Sequence, residues 1–222
     1  MVTFFPTPYP DEIFHSLIAR YHMYSGNLSY RHTLLDLFGM QKVDINRHLP
    51  SHLGKFLENM STNILILDTL INNHTLFPYF TSFKSKEERE KVKISMVNGN
   101  TNPSALAGVS GRAIKSEKYL QHCYKCIEED ISKYGETYWR RIHQIPGVIV
   151  CPRHKLPLIF SSKQSFDSRF SYNFYLASKE DFLEEPIFRQ INEKDINLLH
   201  KYACESEWIL SNISNEDLSE FP

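Results

Sequence analysis

The sequence predicts a mainly helical protein in three parts. These are a helix-turn-helix-like helical domain over residues 1–110, a small cysteine-bearing α+β module over 111–163, and an acidic, partly helical segment over 164–222. Three observations carry that prediction. Apolar residues recur at helical spacing through the first half. The middle pairs a Cys-x-x-Cys with a Cys-x-x-His. Charge also changes sign along the chain. Residues 1–110 carry ten Lys/Arg against nine Asp/Glu, residues 111–163 ten against five, and residues 164–222 five against twelve. The formal total of -1 therefore averages a basic middle of +5 with an acidic end of -7.

The first helix is expected in "PYPDEIFHSLIARYHMYSGN". Pro8 and Pro10 end an extended lead-in, Asp11 can cap the start, and Ile13, Phe14, Leu17, Ile18, Tyr21 and Tyr24 recur on one face. Gly26-Asn27 supplies a left-handed stop. Ser29 caps a second helix, with Leu34, Leu35, Leu37 and Phe38 inward and Gly39 closing it. Two helices across a short glycine turn resemble a helix-turn-helix, although any antiparallel helix pair has the same pattern. Ser51 begins "SHLGKFLENM" with Leu53, Phe56, Leu57 and Met60 on one face, and "NILILDTLINNH" reads as a buried helix. Ser85 and Glu88 form a capping box over "KEEREKVKISM". The Asn/Gly/Ser/Pro-rich run from 98 to 112 reads as the junction with the second part.

That second part holds three of the four cysteines. A Cys-x-x-Cys knuckle aims two sulfurs at one ion, and Cys151 with His154 repeats the spacing, so Cys123, Cys126, Cys151 and His154 are expected to form a tetrahedral Zn2+ shell. Four good donors close such a shell, which makes the zinc structural rather than catalytic, one per chain. The intervening residues are expected to form a helix over about 127–143 and a strand Val148-Ile149-Val150 after a Pro146-Gly147 turn. Ile131, Tyr134, Tyr138 and Ile142 are expected on the inner face, with Trp139 beside them. His122 and His143 lack the paired spacing, and Cys204 reads as a buried small hydrophobe. Glu128 and Glu129 read as acids suited to a helix start.

Several classes are excluded. No run approaches 18 apolar residues, so no membrane helix is expected, and the first residues lack the pattern of a signal peptide. Both point to a cytoplasmic protein, where clustered thiols bind metal rather than pair. No His-Glu-x-x-His and no deaminase pattern is present, so no enzymatic activity is expected.

Taken in order, "FPTPYPDEIFHSLIARYH", "LPSHLG", "NHTLFP" and "HCYKCIEED" followed by "YGETYW" and "CPRHKLPL" resemble the TniQ/TnsD family of transposon target-selection proteins, nearest the TnsD branch. The likeness runs from Phe4 to about Leu158. It implies a domain related to helix-turn-helix folds, then a Cys-Cys-Cys-His zinc module, here Cys123, Cys126, Cys151 and His154. It also implies an adaptor role. Such a protein binds target duplex DNA, or a guide complex in CRISPR-associated relatives, and recruits the transposon's AAA+ ATPase regulator. Two departures stand out. Tyr124 occupies a position where many relatives have proline, and TnsD-type chains are longer, which leaves an N-terminal portion and a short relative as alternatives.

With the resemblance, the basic middle becomes a candidate DNA surface: Arg112, Lys115, Lys118, Arg140, Arg141, Arg153 and Lys155, with Arg140-Arg141 as a phosphate clamp backed by Tyr138 and Trp139. Tyr30, Arg31 and His32, at the start of the second helix, are candidates for base reading or partner contact. A pure protein–protein adaptor remains the alternative, and scattered cations that only form solvated faces remain open too.

Overall fold

Left-handed glycines set the first two stops. In the computed structural model, which describes residues 2–43, 45–60, 65–109, 119–164, 175–178 and 191–212, α1 (Phe14–Ser25) ends at Gly26 and α2 (Tyr30–Phe38) at Gly39, with φ of 69° and 67°. Such a φ strains any residue with a Cβ. Ser29 accepts the His32 N–H and caps α2 as expected. The start of α1 differs from expectation. Its N-cap is Ile13, with no side-chain cap bond, and Asp11 sits at φ 59° with its carboxylate turned to Arg141. The reason is tertiary: Glu12 bridges Arg140 in antiparallel fashion and the Ile13 N–H donates to the Trp139 carbonyl, which fixes the chain before the helix begins.

Five further helices follow: α3 (Leu53–Asn59), α4 (Leu67–His74), α5 (Phe77–Thr81), α6 (Lys86–Asn98) and α7 (Pro103–Leu106). The Ser85–Glu88 capping box is present on α6. The N-cap of α3 is His52 rather than Ser51. The His52 ring occupies the space beside Gly99, where an added Cβ would lie 2.3 Å from it. α4 starts later than expected, because Ile66 is an exposed N-cap in extended conformation whose carbonyl accepts the Leu70 N–H; residues 61–64 lie outside the described chain. Phe14, Phe38 and Phe56 meet in the middle of a first apolar cluster, Phe14 and Phe56 edge to face at 5.0 Å.

The later part opens with β1 (Tyr119–His122), which runs into α8 (Tyr124–Tyr134) and pairs antiparallel with β2 (Ile159–Gln164), Gln121 opposite Phe160 and His122 opposite Ile159. α9 (Glu193–Asn212) closes the described chain. Among the described residues the fold is thus mainly helical with one two-stranded sheet.

The helix expected over 127–143 is shorter and shifted. Gly135, at φ 78°, stops α8 at Tyr134, and the chain beyond runs extended into the Arg140 bridge before a single 3₁₀ turn at Ile142–Gln144. Ile131 is accordingly exposed, whereas Tyr138, Trp139 and Ile142 are buried from outside the helix. Of Val148-Ile149-Val150 only Val150 pairs, in one bridge to Pro157, and Gly147 makes the expected turn at φ 85°.

A second apolar cluster joins Ile13 and Leu76 to Leu120, Trp139, Ile142 and Ile145, and to Ala203 and Leu210 of α9. Early, middle and late sequence share this core. The expected boundary near 110 falls within residues 110–118, outside the described chain. Among the described residues no helix is long and apolar enough to cross a membrane.

Buried histidines make this packing sensitive to acid. Burial pushes His15 down to about 4, His48 well below its ordinary value, and His74 down as well. The unfolded chain protonates each near 6.5, so the stability they contribute is fully present above that pH and is lost as pH falls toward 4. For His15 alone the window is worth about 3 kcal/mol at about 1.4 kcal/mol per unit. Glu12 and Asp130 oppose this, because burial raises them to about 7 and about 6, and their contributions fade as pH rises through those values. His122 and His143, also pushed down to about 4 by burial, add to the histidine side, so urea unfolding should show stability falling between about pH 7 and pH 4.5. His15→Asn should flatten the curve; an unchanged slope would show that His15 does not drive it.

Candidate metal centre and surrounding basic residues

Two turns bring the four expected ligands together. Cys123 is the N-cap of α8 and Cys126 lies in its first turn, so both sulfurs face the end of a helix whose N–H groups favour negative charge. Cys151 and His154 sit on a tight loop closed by the Lys155 N–H to the Cys151 carbonyl (2.8 Å) and the Cys151 N–H to the Leu156 carbonyl (2.8 Å), with Lys155 at φ 54°. The β1–β2 pairing holds the two turns side by side.

The donor atoms lie within 4.8 Å of one another. His154 Nδ1 is 3.4 Å from the sulfurs of Cys123 and Cys126 and 3.7 Å from Cys151, and the sulfurs of Cys126 and Cys151 are 3.8 Å apart. A tetrahedron built on Zn–S and Zn–N bonds of about 2.3 and 2.0 Å has edges of roughly 3.8 Å between sulfurs and roughly 3.5 Å from sulfur to nitrogen. The spacing fits that shell. All three cysteines are buried and unpaired by disulfides. The Cys123 thiol is pushed down to about 3, first by hydrogen bonds from Cys126 and Cys151 and then by backbone N–H groups; the same pairing pushes Cys126 up.

The two other histidines are used elsewhere. His122 Nδ1 accepts the Cys123 N–H (2.9 Å) and its Nε2 donates to the Tyr138 carbonyl (2.8 Å). His143 is fully buried against Cys151, and burial pushes it down to about 4. Glu129, read from sequence as a helix-start acid, is better placed than that reading allowed. One turn beyond Cys126, it accepts from His154 Nε2 at 2.9 Å and from Arg153 Nη2 at 2.8 Å. Its spacing from Cys126, i to i+3 on one helix face, is the signal that could have found it. Cys204 is half-buried on α9, beside His200, which donates to the Pro152 carbonyl at 2.8 Å.

The candidate DNA residues scatter. Arg112, Lys115 and Lys118 lie outside the described residues. Arg140 and Arg141, expected as a surface clamp, are buried. Arg140 is ion-paired to Asp130 and stacked over Tyr138 at 4.6 Å. Arg141 binds the Asp11 carboxylate at 2.9 Å and donates to the carbonyls of Asn72 and Thr75 at the end of α4. Both guanidiniums are therefore engaged internally, because the acids that face them supply the charge a phosphate would. Arg153 is half-exposed but held by Glu129, and Lys155 is exposed. Arg31 and His32 are exposed on α2, and Tyr30 is partly buried.

A second ionic knot lies nearby. Arg20 of α1 binds buried Glu12 at 2.9 Å and Glu136 at 2.9 Å, and Glu136 also accepts from the Tyr9 hydroxyl at 2.8 Å. Tyr9 and Glu12 stand in "PYPDEIF" and Glu136 in "YGETYW", so Arg20 and the Tyr9 hydroxyl tie the two stretches into one structural unit.

Comparison with known proteins places these stretches in a shared frame. The model of the TniQ family matches residues 3–158, from the N-terminal segment through the Cys151–His154 loop. The chain belongs to the TniQ family. It is 32% identical over 170 residues to the transposon Tn7 transposition protein TnsD of Escherichia coli, an alignment covering 76% of this chain and 33% of that protein. This TniQ chain thus spans about a third of the length of the curated relative it matches. The metal cluster, the Arg20 knot and the Arg141 contacts all fall inside the TniQ match.

Proposed function

We propose that this TniQ protein serves DNA transposition as a target-site selector. It holds target duplex DNA, or a target-bound complex, and recruits the AAA+ ATPase regulator of a cut-and-paste transposon. One zinc ion, held by Cys123, Cys126, Cys151 and His154, sets the shape of the docking surface and does no chemistry. The observation that carries the reading is the family match over residues 3–158, supported by a tetrahedral donor set with no position left for a substrate.

Within this reading the phosphate contacts come from exposed cations. Lys155 is one, joined by Lys125 and Lys133 on α8 and by Arg112, Lys115 and Lys118 beyond the described residues. The test is binding of the purified chain to duplex DNA over a salt series, with and without the ATPase. Lys155→Ala should weaken all sequences alike and reduce the log–log salt slope by about 0.9. Arg31→Ala or His32→Ala should relax discrimination by about 1–3 kcal/mol where those side chains reach base edges.

A second reading, a pure protein adaptor, is favoured by one observation. Met23, Tyr24, Leu28 and Leu35 are all exposed around the α1–α2 turn, Leu28 at 96%, an apolar surface suited to a protein partner. Loss of ATPase recruitment by Leu28→Asp, with DNA affinity unmoved by every cation change, would select it.

A further inference from the structure

We infer that Glu129 is a positioning residue of the metal centre, fixing which nitrogen of His154 binds the ion and how tightly the ion is held. The inference rests on the zinc reading above. His154 Nδ1 faces all three sulfurs, at 3.4, 3.4 and 3.7 Å, while Nε2 points away and meets a Glu129 carboxylate oxygen at 2.9 Å. A neutral imidazole carries one proton. With Glu129 accepting at Nε2, that proton stays on Nε2 and the Nδ1 lone pair is free for the ion. A carboxylate behind a ligating imidazole also raises its basicity and holds the ring plane, and losing such a partner costs about 10–100-fold in metal affinity.

The carboxylate is itself oriented. Its other oxygen accepts from Arg153 Nη2 at 2.8 Å, and α8 carries Glu129 on the same face as Cys126. Arg153 stands between the ligands Cys151 and His154, so the loop that supplies the second pair of donors also supplies the cation that steadies Glu129. Arg153 thereby serves the metal centre rather than a phosphate.

The experiment uses the full chain and zinc, with a chromophoric chelator as competitor. Glu129→Ala should lose about 10–100-fold in zinc affinity, Glu129→Gln, which keeps an acceptor for Nε2–H, should stay within a few-fold of the parent, and Arg153→Ala should fall between them. A long-range nitrogen–proton spectrum of the zinc-loaded parent should show His154 coordinated through Nδ1 with its proton on Nε2. That readout stands even where Glu129→Ala fails to fold. Coordination through Nε2, equal affinity for Glu129→Ala and parent, or equal losses for the Ala and Gln variants would overturn the inference while leaving the zinc reading intact. A parent chain that takes up no zinc would overturn both.

Discussion

On the zinc reading proposed above, Cys126→Ser is expected to abolish stoichiometric zinc uptake and to unfold the region from β1 to β2. Metal binding in closed shells of this type is worth about 10–16 kcal/mol in apparent terms, as much as or more than the roughly 5–15 kcal/mol that holds a whole domain. Three donors cannot retain that energy, and Cys126 sits in the middle of the cluster, 3.4 Å from the His154 nitrogen and 3.8 Å from Cys151. The first apolar cluster, built on Phe14, Phe38 and Phe56, draws no residue from β1, α8 or β2 and should survive. It should survive weakened, because Ile13 and Leu76 pack with the metal-bearing part and Glu12 bridges Arg140. Hydrogen exchange followed by mass spectrometry separates the two regions. Full protection of residues 119–160 in the metal-free variant would refute the dependence.

Arg141→Ala is expected to act on stability rather than on DNA. The substitution leaves the Asp11 carboxylate partly buried without its cation and removes two donors from the carbonyls that end α4. Breaking one side of a buried pair costs about 3–5 kcal/mol, which for a chain of this size lowers Tm by about 6–20 °C. A phosphate-contact role would give the opposite pattern, with Tm nearly unchanged and a shallower salt slope in DNA binding. Thermal melting and a salt series on the same variant distinguish the two.

Local signals were legible in the sequence; long-range pairing was not. Ser29, Gly26, Gly39 and the Ser85–Glu88 box act within a few residues of themselves, and each appears where the pattern placed it. The Cys-x-x-Cys and Cys-x-x-His spacings likewise describe two local turns, so the donor set could be read directly. Gly135 was a visible stop, yet the apolar spacing of Tyr138 and Ile142 continued beyond it and mimicked a longer helix. In the fold Tyr138 is buried from an extended segment that leads into the Glu12–Arg140 bridge, and Ile142 from the 3₁₀ turn that follows, its N–H donating to the Asp11 carboxylate. Arg140 and Arg141 misled for the same reason. A pair of adjacent arginines reads as surface charge until the acids that face them, 10 and 130 positions away, are located. Glu129 was visible but ambiguous, because an acid near a helix start suits the dipole with or without a histidine behind it.

The span between Asp11 and Arg141 also sets a timetable for synthesis. The two are joined across 130 residues, and that join, with the Glu12–Arg140 bridge, closes the entry to α1. At about 5–20 residues per second a ribosome delivers Arg141 roughly 6–26 seconds after Asp11. Through that interval Ile13 lacks its packing partners, Glu12 lacks its bridge to Arg140, and Arg20, although paired with Glu12, waits for Glu136. A growing chain of this fold therefore leaves its earliest residues without these long-range contacts until the region around the Cys/His cluster emerges, and on the zinc reading proposed above the supply of zinc should govern how soon they are covered.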